Sequence, residues 1–298
     1  MQRNMRPSSN GFRHVLSVSL LAGIIMVAVL VHLGSGLASQ GADLFDATML
    51  TADGRSLPAN QVSVHDQTLA DTQFLHLINR DYPIGGAPSS EQIVSAWPTV
   101  PTAAEDMTIN VTTLEAVRLL FAMAGNEGAG SLFLSSGYRT WADQSQIFEE
   151  TADKSLVQPP GHSEHQTGLA ADIASPDAGS DGWANSHQAQ WLADNAWRAG
   201  LILRYPEDKQ RITGIAHEPW HFRYVGQPHA WYCWSHGLSL EEYIQSLKDS
   251  GGYSTSIDGV NYTVLYQQPK DDMILVPRDL QHNISGDNTG GYIVTAWE

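Results

Sequence analysis

His217-Glu218-Pro219-Trp220-His221-Phe222-Arg223-Tyr224-Val225 is the stretch that decides how this chain folds around its chemistry. Its first five residues spell H-E-x-x-H, which on a helix would set two imidazoles on one face with a glutamate between them. Pro219 breaks that reading. Within a helix proline lacks the backbone donor and costs about 3 kcal/mol, and it pushes the preceding Glu218 toward extended geometry. The following residues alternate as a strand does, with Trp220, Phe222 and Tyr224 on one side and His221 on the other. His221 is therefore expected on a strand and Glu218 in the loop before it. His217 need not touch a metal, and it stays an alternative ligand only through its place in the motif.

Two upstream segments complete the chemistry. Gly161-His162-Ser163-Glu164-His165-Gln166-Thr167-Gly168-Leu169-Ala170-Ala171-Asp172 supplies imidazoles and carboxylates, and Ser136-Gly137-Tyr138-Arg139-Thr140 supplies an arginine. A catalytic zinc needs three N/O ligands and one open position for water, whose pKa it lowers to about 7. Two His and one Asp meet that need. His165 and Asp172 are seven residues apart. One straight strand would set them on opposite faces, and one helix would separate them by about 10.5 Å. A chain reversal at Gly168, where glycine tolerates unusual backbone angles, would let both approach one ion. Taken alone, His162, Glu164 and His165 read as a solvated polar loop, a reading that Asp172 and Glu218-x-x-His221 downstream reverse.

Ser163-x-His165-x-x-Gly168-x-Ala170-x-Asp172 followed by Glu218-x-x-His221 resembles the signature of the VanY-like D-alanyl-D-alanine carboxypeptidases, a zinc peptidase family that includes L,D-carboxypeptidases of peptidoglycan. The resemblance takes in Ser136-Gly137-Tyr138-Arg139 and the helix carrying Gln144, and it spans roughly Leu75 to Lys248. It implies zinc held by His165, Asp172 and His221, Glu218 as general base, and Arg139 gripping the terminal carboxylate of the substrate. Around these, Tyr138 and Trp220 are read as cleft walls, Gln144 as a further substrate contact, and Ser163 as either a contact to the substrate backbone or an organiser of its own loop. The implied activity is removal of the terminal D-alanine from peptidoglycan stem peptides. L,D-cleavage of stem tetrapeptides and a non-catalytic wall-binding module are the alternatives. A serine mechanism is disfavoured, because none of Lys154, Lys209, Lys248 and Lys270 has a serine three residues before it and no G-x-S-x-G elbow occurs.

Outward from the motifs, a helix is expected from Thr112, with Thr112 and Glu115 as its capping pair and Gly125 or Gly128 ending it. Leu132–Leu134 reads as a buried strand, followed by a helix from Trp141. Another helix spans about Ser186 to Ala199, Leu201–Leu203 is the next strand, and a last helix runs from the Ser239/Glu242 capping box to near Gly251. Trp141, Trp191 and Trp197 are expected to be packing residues. Residues 251–298 alternate in short runs such as Tyr262–Tyr266 and Tyr292–Thr295 and are expected to form a small β appendage. The fold class is α+β: a small, mainly antiparallel sheet with flanking helices around a zinc cleft, within residues 71–250.

The N-terminus carries an address. Arg3, Arg6 and Arg13 lie in a basic segment, residues 1–14, before an apolar run at 15–33 that is close to the ~20 residues needed to span a bilayer. A retained membrane anchor is expected, with cleavage after Ala38 as the alternative. Either way residues 40–298 are extracytoplasmic, with residues 34–70 as a linker. The single cysteine, Cys233, allows no internal disulfide and is expected to be buried and inert. A formal net charge of −16 repels phosphate backbones and excludes nucleic acid as a natural partner. The expected partners are stem peptides and, through the N-terminal segment, the membrane, with the protein acting as a monomer.

Overall fold

In the computed structural model the described residues are 47–66, 72–154, 156–178 and 180–298. The expected basic segment, the 15–33 anchor and part of the 34–70 linker lie outside them. Among the described residues no helix is long and apolar enough to cross a membrane.

The described residues begin with the antiparallel pair β1 (Ala47–Leu50) and β2 (Ser56–Ser63). A second pair, β3 (Ile93–Ser95) and β4 (Thr108–Asn110), runs directly into α1 (Val111–Asn126). There follow β5 (Phe133–Ser136), α2 (Trp141–Glu150), β6 (Ala170–Ala174) and α3 (His187–Asn195). Next come β7 (Leu201–Leu203), the short α4 (Gln210–Thr213) and β8 (His221–Tyr224). Two helices, α5 (Gln227–His236) and α6 (Leu240–Ser250), precede β9 (Gly252–Ile257), β10 (Val260–Gln267), β11 (Met273–Pro277), β12 (Gln281–Gly286) and β13 (Tyr292–Trp297).

The site is built on the antiparallel sheet ordered β5-β6-β8-β7. Side chains alternate across each strand, so Leu134, Ala171, Ile173 and Phe222 enter a core shared with Leu114, Val117 and Leu120 of α1 and Leu192 of α3. Burying each leucine- or phenylalanine-sized side chain contributes about 1.5–3 kcal/mol, which clamps this sheet face onto its helices. The expected α+β arrangement is the one observed.

Several local expectations shift. Asn110, not Thr112, caps α1: its side chain accepts the Thr112 N–H, and the helix begins one residue earlier. The capping boxes at Thr140/Asp143 and Ser239/Glu242 form fully. The expected 186–199 helix divides, because α3 ends at Asn195 and a 3-10 turn, Ala196–Ala199, continues to left-handed Gly200. Trp141 is 60% exposed and lies outside the core, its ring over Gly161, and Trp220, 40% exposed, falls in the turn before β8. Cys233 is buried, as its isolation in sequence suggested.

The largest change concerns the ends. β2, inside the expected linker, pairs with β11 through Ala59↔Pro277 to Ser63↔Met273. β9, β10, β12 and β13 form a second sheet whose Val264 and Ile293 pack with Leu75 and with Leu240, Ile244 and Leu247 of α6. The terminal strands are thus docked on α6, within the one compact unit that holds all the described residues.

Candidate metal centre

Three strands present the site. Asp172 on β6 stands opposite His221 on β8 and opposite Ser136 on β5. His165 arrives from a 3-10 turn, Glu164–Thr167, which ends at Gly168 with φ +72°. That left-handed turn is the chain reversal the sequence called for, and it requires glycine: a Cβ there would lie 2.8 Å from the Asn110 nitrogen and from Ile93 Cδ1.

The ligating atoms of His165, Asp172 and His221 all lie within 4.8 Å of one another, and all three residues are buried. His165 Nδ1 contacts the Gly137 carbonyl at 2.6 Å, which leaves Nε2 turned toward Asp172 Oδ1 at 3.3 Å. His221 presents Nδ1 to the same oxygen at 3.0 Å. Two imidazole nitrogens and a carboxylate converging on one buried point are the donor set of a divalent transition metal with an open position. His217 is not part of this cluster.

Charge around the centre follows from burial and pairing. Burial opposes ionisation of Asp172, but the neighbouring imidazoles hold its carboxyl well below the usual range. Burial, then the Arg139 charge, pushes the His165 imidazole down. His221 would also be lowered by burial, yet its bonds to Asp172 and Glu164 outweigh this and raise it to about 9. Glu218 lies 3.8 Å from His221 Nδ1, and burial raises its carboxyl to about 7. A carboxyl poised there exchanges protons readily at neutral pH.

The remaining expected residues are placed unevenly. Arg139 lies at the edge of the centre, donating from Nη2 to Asp172 Oδ2 at 3.1 Å and from Nε and Nη2 to Ser136 Oγ. Gln144 is fully buried, its Nε2 donating to the Gln158 carbonyl and its Oε1 lying 3.4 Å from Arg139 Nη1, so it braces the arginine. Ser163 is buried at the head of the 3-10 turn. Tyr138 is fixed through its backbone N–H to the Thr108 carbonyl.

One residue that can be read as solvated is the reverse. Glu164 is fully buried, with Oε1 taking Arg204 Nε at 2.8 Å and Arg223 Nη1 at 3.0 Å, while Oε2 faces His221 Nε2 at 3.4 Å. Arg204 also pairs with both carboxylate oxygens of Glu241 on α6. The sequence signal for this cluster is Arg223, a charge between Phe222 and Tyr224 on a buried strand, which demands a counter-charge.

A family model described as VanY, D-alanyl-D-alanine carboxypeptidase, matches residues 106–227. A D-alanyl-D-alanine carboxypeptidase of Enterococcus faecium is 39% identical over 171 residues, 57% of this chain and 55% of the relative, so the chain spans about half that protein's length. The structure of the vancomycin-resistance D,D-dipeptidase VanXYg, in complex with a D-Ala-D-Ala phosphinate analogue, covers 81% of this chain and 99% of its own at 29% identity, with a TM-score of 0.65. That of the LD-carboxypeptidase LdcB covers 58% and 86% at 36% identity, with a TM-score of 0.53. The motif of His165, Asp172, Glu218 and His221, its assembly into one buried centre, and these likenesses agree: the chain belongs to the VanY-like D-alanyl-D-alanine carboxypeptidase family.

Proposed function

We propose that this protein is a zinc-dependent D-alanyl-D-alanine carboxypeptidase that removes the terminal D-alanine from peptidoglycan stem peptides. The observation that carries the reading is the buried His165–Asp172–His221 cluster with Glu218 beside it. Held by those three side chains, zinc supplies Lewis acidity, polarising a carbonyl and bringing the pKa of a water down to about 7.

Glu218 moves the protons. Its carboxylate takes one from the attacking water and returns it to the leaving amine of the released D-alanine, work suited to a carboxyl at about 7. Arg139 sets the register, since its planar fork pairs with a free carboxylate and so selects a substrate ending one residue beyond the scissile bond. Gln144 and Ser136 hold that fork in place. In this reading Tyr138 and the exposed Trp220 wall the approach, and Ser163, buried at the head of the 3-10 turn, either contacts the substrate backbone or organises its own loop.

Glu218→Gln separates catalysis from binding. The variant is expected to bind zinc at about one ion per chain while hydrolysis falls by about 10²–10⁴-fold. Unchanged hydrolysis overturns the assignment, and unchanged biological behaviour without hydrolysis favours a wall-binding module.

The likeness to LdcB favours a second specificity, L,D-cleavage of stem tetrapeptides. Timed release of D-alanine from paired pentapeptide and tetrapeptide stems decides between the two, and release from neither excludes both. The substrate class and the apolar 15–33 segment support a location outside the cytoplasm, held to the membrane by that segment or released after cleavage at Ala38.

A further inference from the structure

We propose that Glu164 is a positioning residue for the metal centre: its Oε2 accepts the Nε2–H of His221 and fixes the tautomer in which Nδ1 offers its lone pair to the ion. The inference rests on the zinc reading above, and it concerns a residue outside the ligand set. A neutral imidazole carries one ring proton, and the nitrogen that binds a metal is the one without it. His221 turns Nδ1 toward Asp172 Oδ1 at 3.0 Å, the side on which His165 Nε2 also converges. Its Nε2 faces Glu164 Oε2 at 3.4 Å. The rings packed on His221, Tyr205 and His165, lie with centroids 4.9 Å away, and Glu164 is the acceptor that the structure gives Nε2.

Glu164 has no freedom to turn. Two guanidiniums hold Oε1, Arg204 Nε at 2.8 Å and Arg223 Nη1 at 3.0 Å, and the side chains of all three residues are fully buried. Both arginines are themselves fixed: Arg204 pairs with Glu241, and Arg223 Nη2 donates to the carbonyls of Gln73, Phe74 and His76. The two oxygens therefore have separate tasks, Oε1 toward the arginines and Oε2 toward the imidazole.

This division makes Glu164→Gln informative. Arg204 Nε donates to the Oε1 position with the Arg223 guanidinium paired beside it, so only an oxygen fits there and the amide nitrogen must take the place of Oε2. Two N–H donors then oppose each other across the contact whenever His221 binds metal through Nδ1. The alternative tautomer relieves the clash by placing the ring proton on Nδ1, where it blocks ligation.

The test uses the full-length chain, zinc, and a competing chelator, with ¹⁵N-histidine labelling of the zinc-loaded protein. In the wild type, His221 is expected to show a slowly exchanging Nε2–H, and Glu164→Gln is expected to lose that signal and bind zinc about 10–100-fold more weakly. Glu241→Gln, which disturbs the same buried cluster without touching His221, is expected to keep zinc affinity within about threefold of wild type, well below the loss expected for removing an outer partner of a ligand. Equal losses in both variants would mean that the cluster is merely structural and would overturn the proposal. So would wild-type affinity in Glu164→Gln. If that variant fails to fold, the wild-type spectrum decides: a His221 Nε2–H exchanging as fast as that of the exposed His282 refutes the contact. Failure of the wild type to bind about one zinc would instead defeat the zinc reading itself, so the two failures are distinct.

Discussion

Zinc affinity should rise about tenfold from pH 7 to 8 and about fivefold from pH 8 to 9, about 50-fold across the window, because the ion displaces one proton from His221 until that imidazole titrates by itself. The bonds from Asp172 and Glu164 hold the metal-free His221 imidazole at about 9, so over this range it is protonated and the ion must displace that proton. His165, lowered by burial and by Arg139, is already neutral. Asp172 stays ionised, and Glu218, raised by burial to about 7, titrates at the lower edge of the window. The metal-free protein responds with the opposite sign. A histidine raised in the fold contributes stability that is full below its unfolded pKa of about 6.5 and is lost as pH rises through 9. The assay is chelator competition at half-unit steps from pH 6 to 10, with denaturation in excess chelator alongside. An affinity flat across pH 7–9, or metal-free stability rising there, would refute the argument.

Three substitutions probe the surrounding structure. Gly168→Ala forces a Cβ to 2.8 Å from the Asn110 nitrogen at φ +72°, so it should cost more than about 1 kcal/mol in urea unfolding and weaken zinc binding by displacing His165; wild-type stability would refute the requirement for glycine. Arg204→Met leaves fully buried Glu164 with Arg223 alone and deprives partly buried Glu241 of its guanidinium, and should cost about 3–5 kcal/mol in the zinc-saturated protein, whereas a loss below about 1 kcal/mol would show that the pair is solvated. Arg139→Lys gives up the planar fork and should lower kcat/KM about 10–100-fold on a stem with a free terminal carboxylate, through a weakened charge-assisted bond; an equal loss on a substrate with an amidated terminus would remove Arg139 from carboxylate recognition.

The ligand set was legible because its chemistry is rare and its spacing awkward. His165 and Asp172 could meet only if the chain reversed at Gly168, and Pro219 took His221 off a helix and onto β8. The start of α1 was misplaced because both Asn110 and Thr112 are good capping types, and only the backbone decides which one accepts the N–H. The 47–63 strands were illegible for a different reason: β2 pairs with β11, more than 200 residues away, and nothing local announces a partner at that distance. Glu164 was ambiguous because a glutamate in a Gly- and Ser-containing loop is usually solvated.

The buried pairing of Glu164 with Arg223 bears on how the centre is specified. Along β8, His221 and Arg223 share one face while Phe222 enters the core. Slipping β8 by one residue against β6 would carry His221 away from Asp172 and turn Phe222 toward Glu164. The same slip would leave Glu164 and Arg223 buried without each other, a cost of several kcal/mol on top of the lost core contact. The register that satisfies the buried charges is therefore the register that assembles the metal site. The two fully buried arginines behind the centre thus specify that register through their pairing with Glu164.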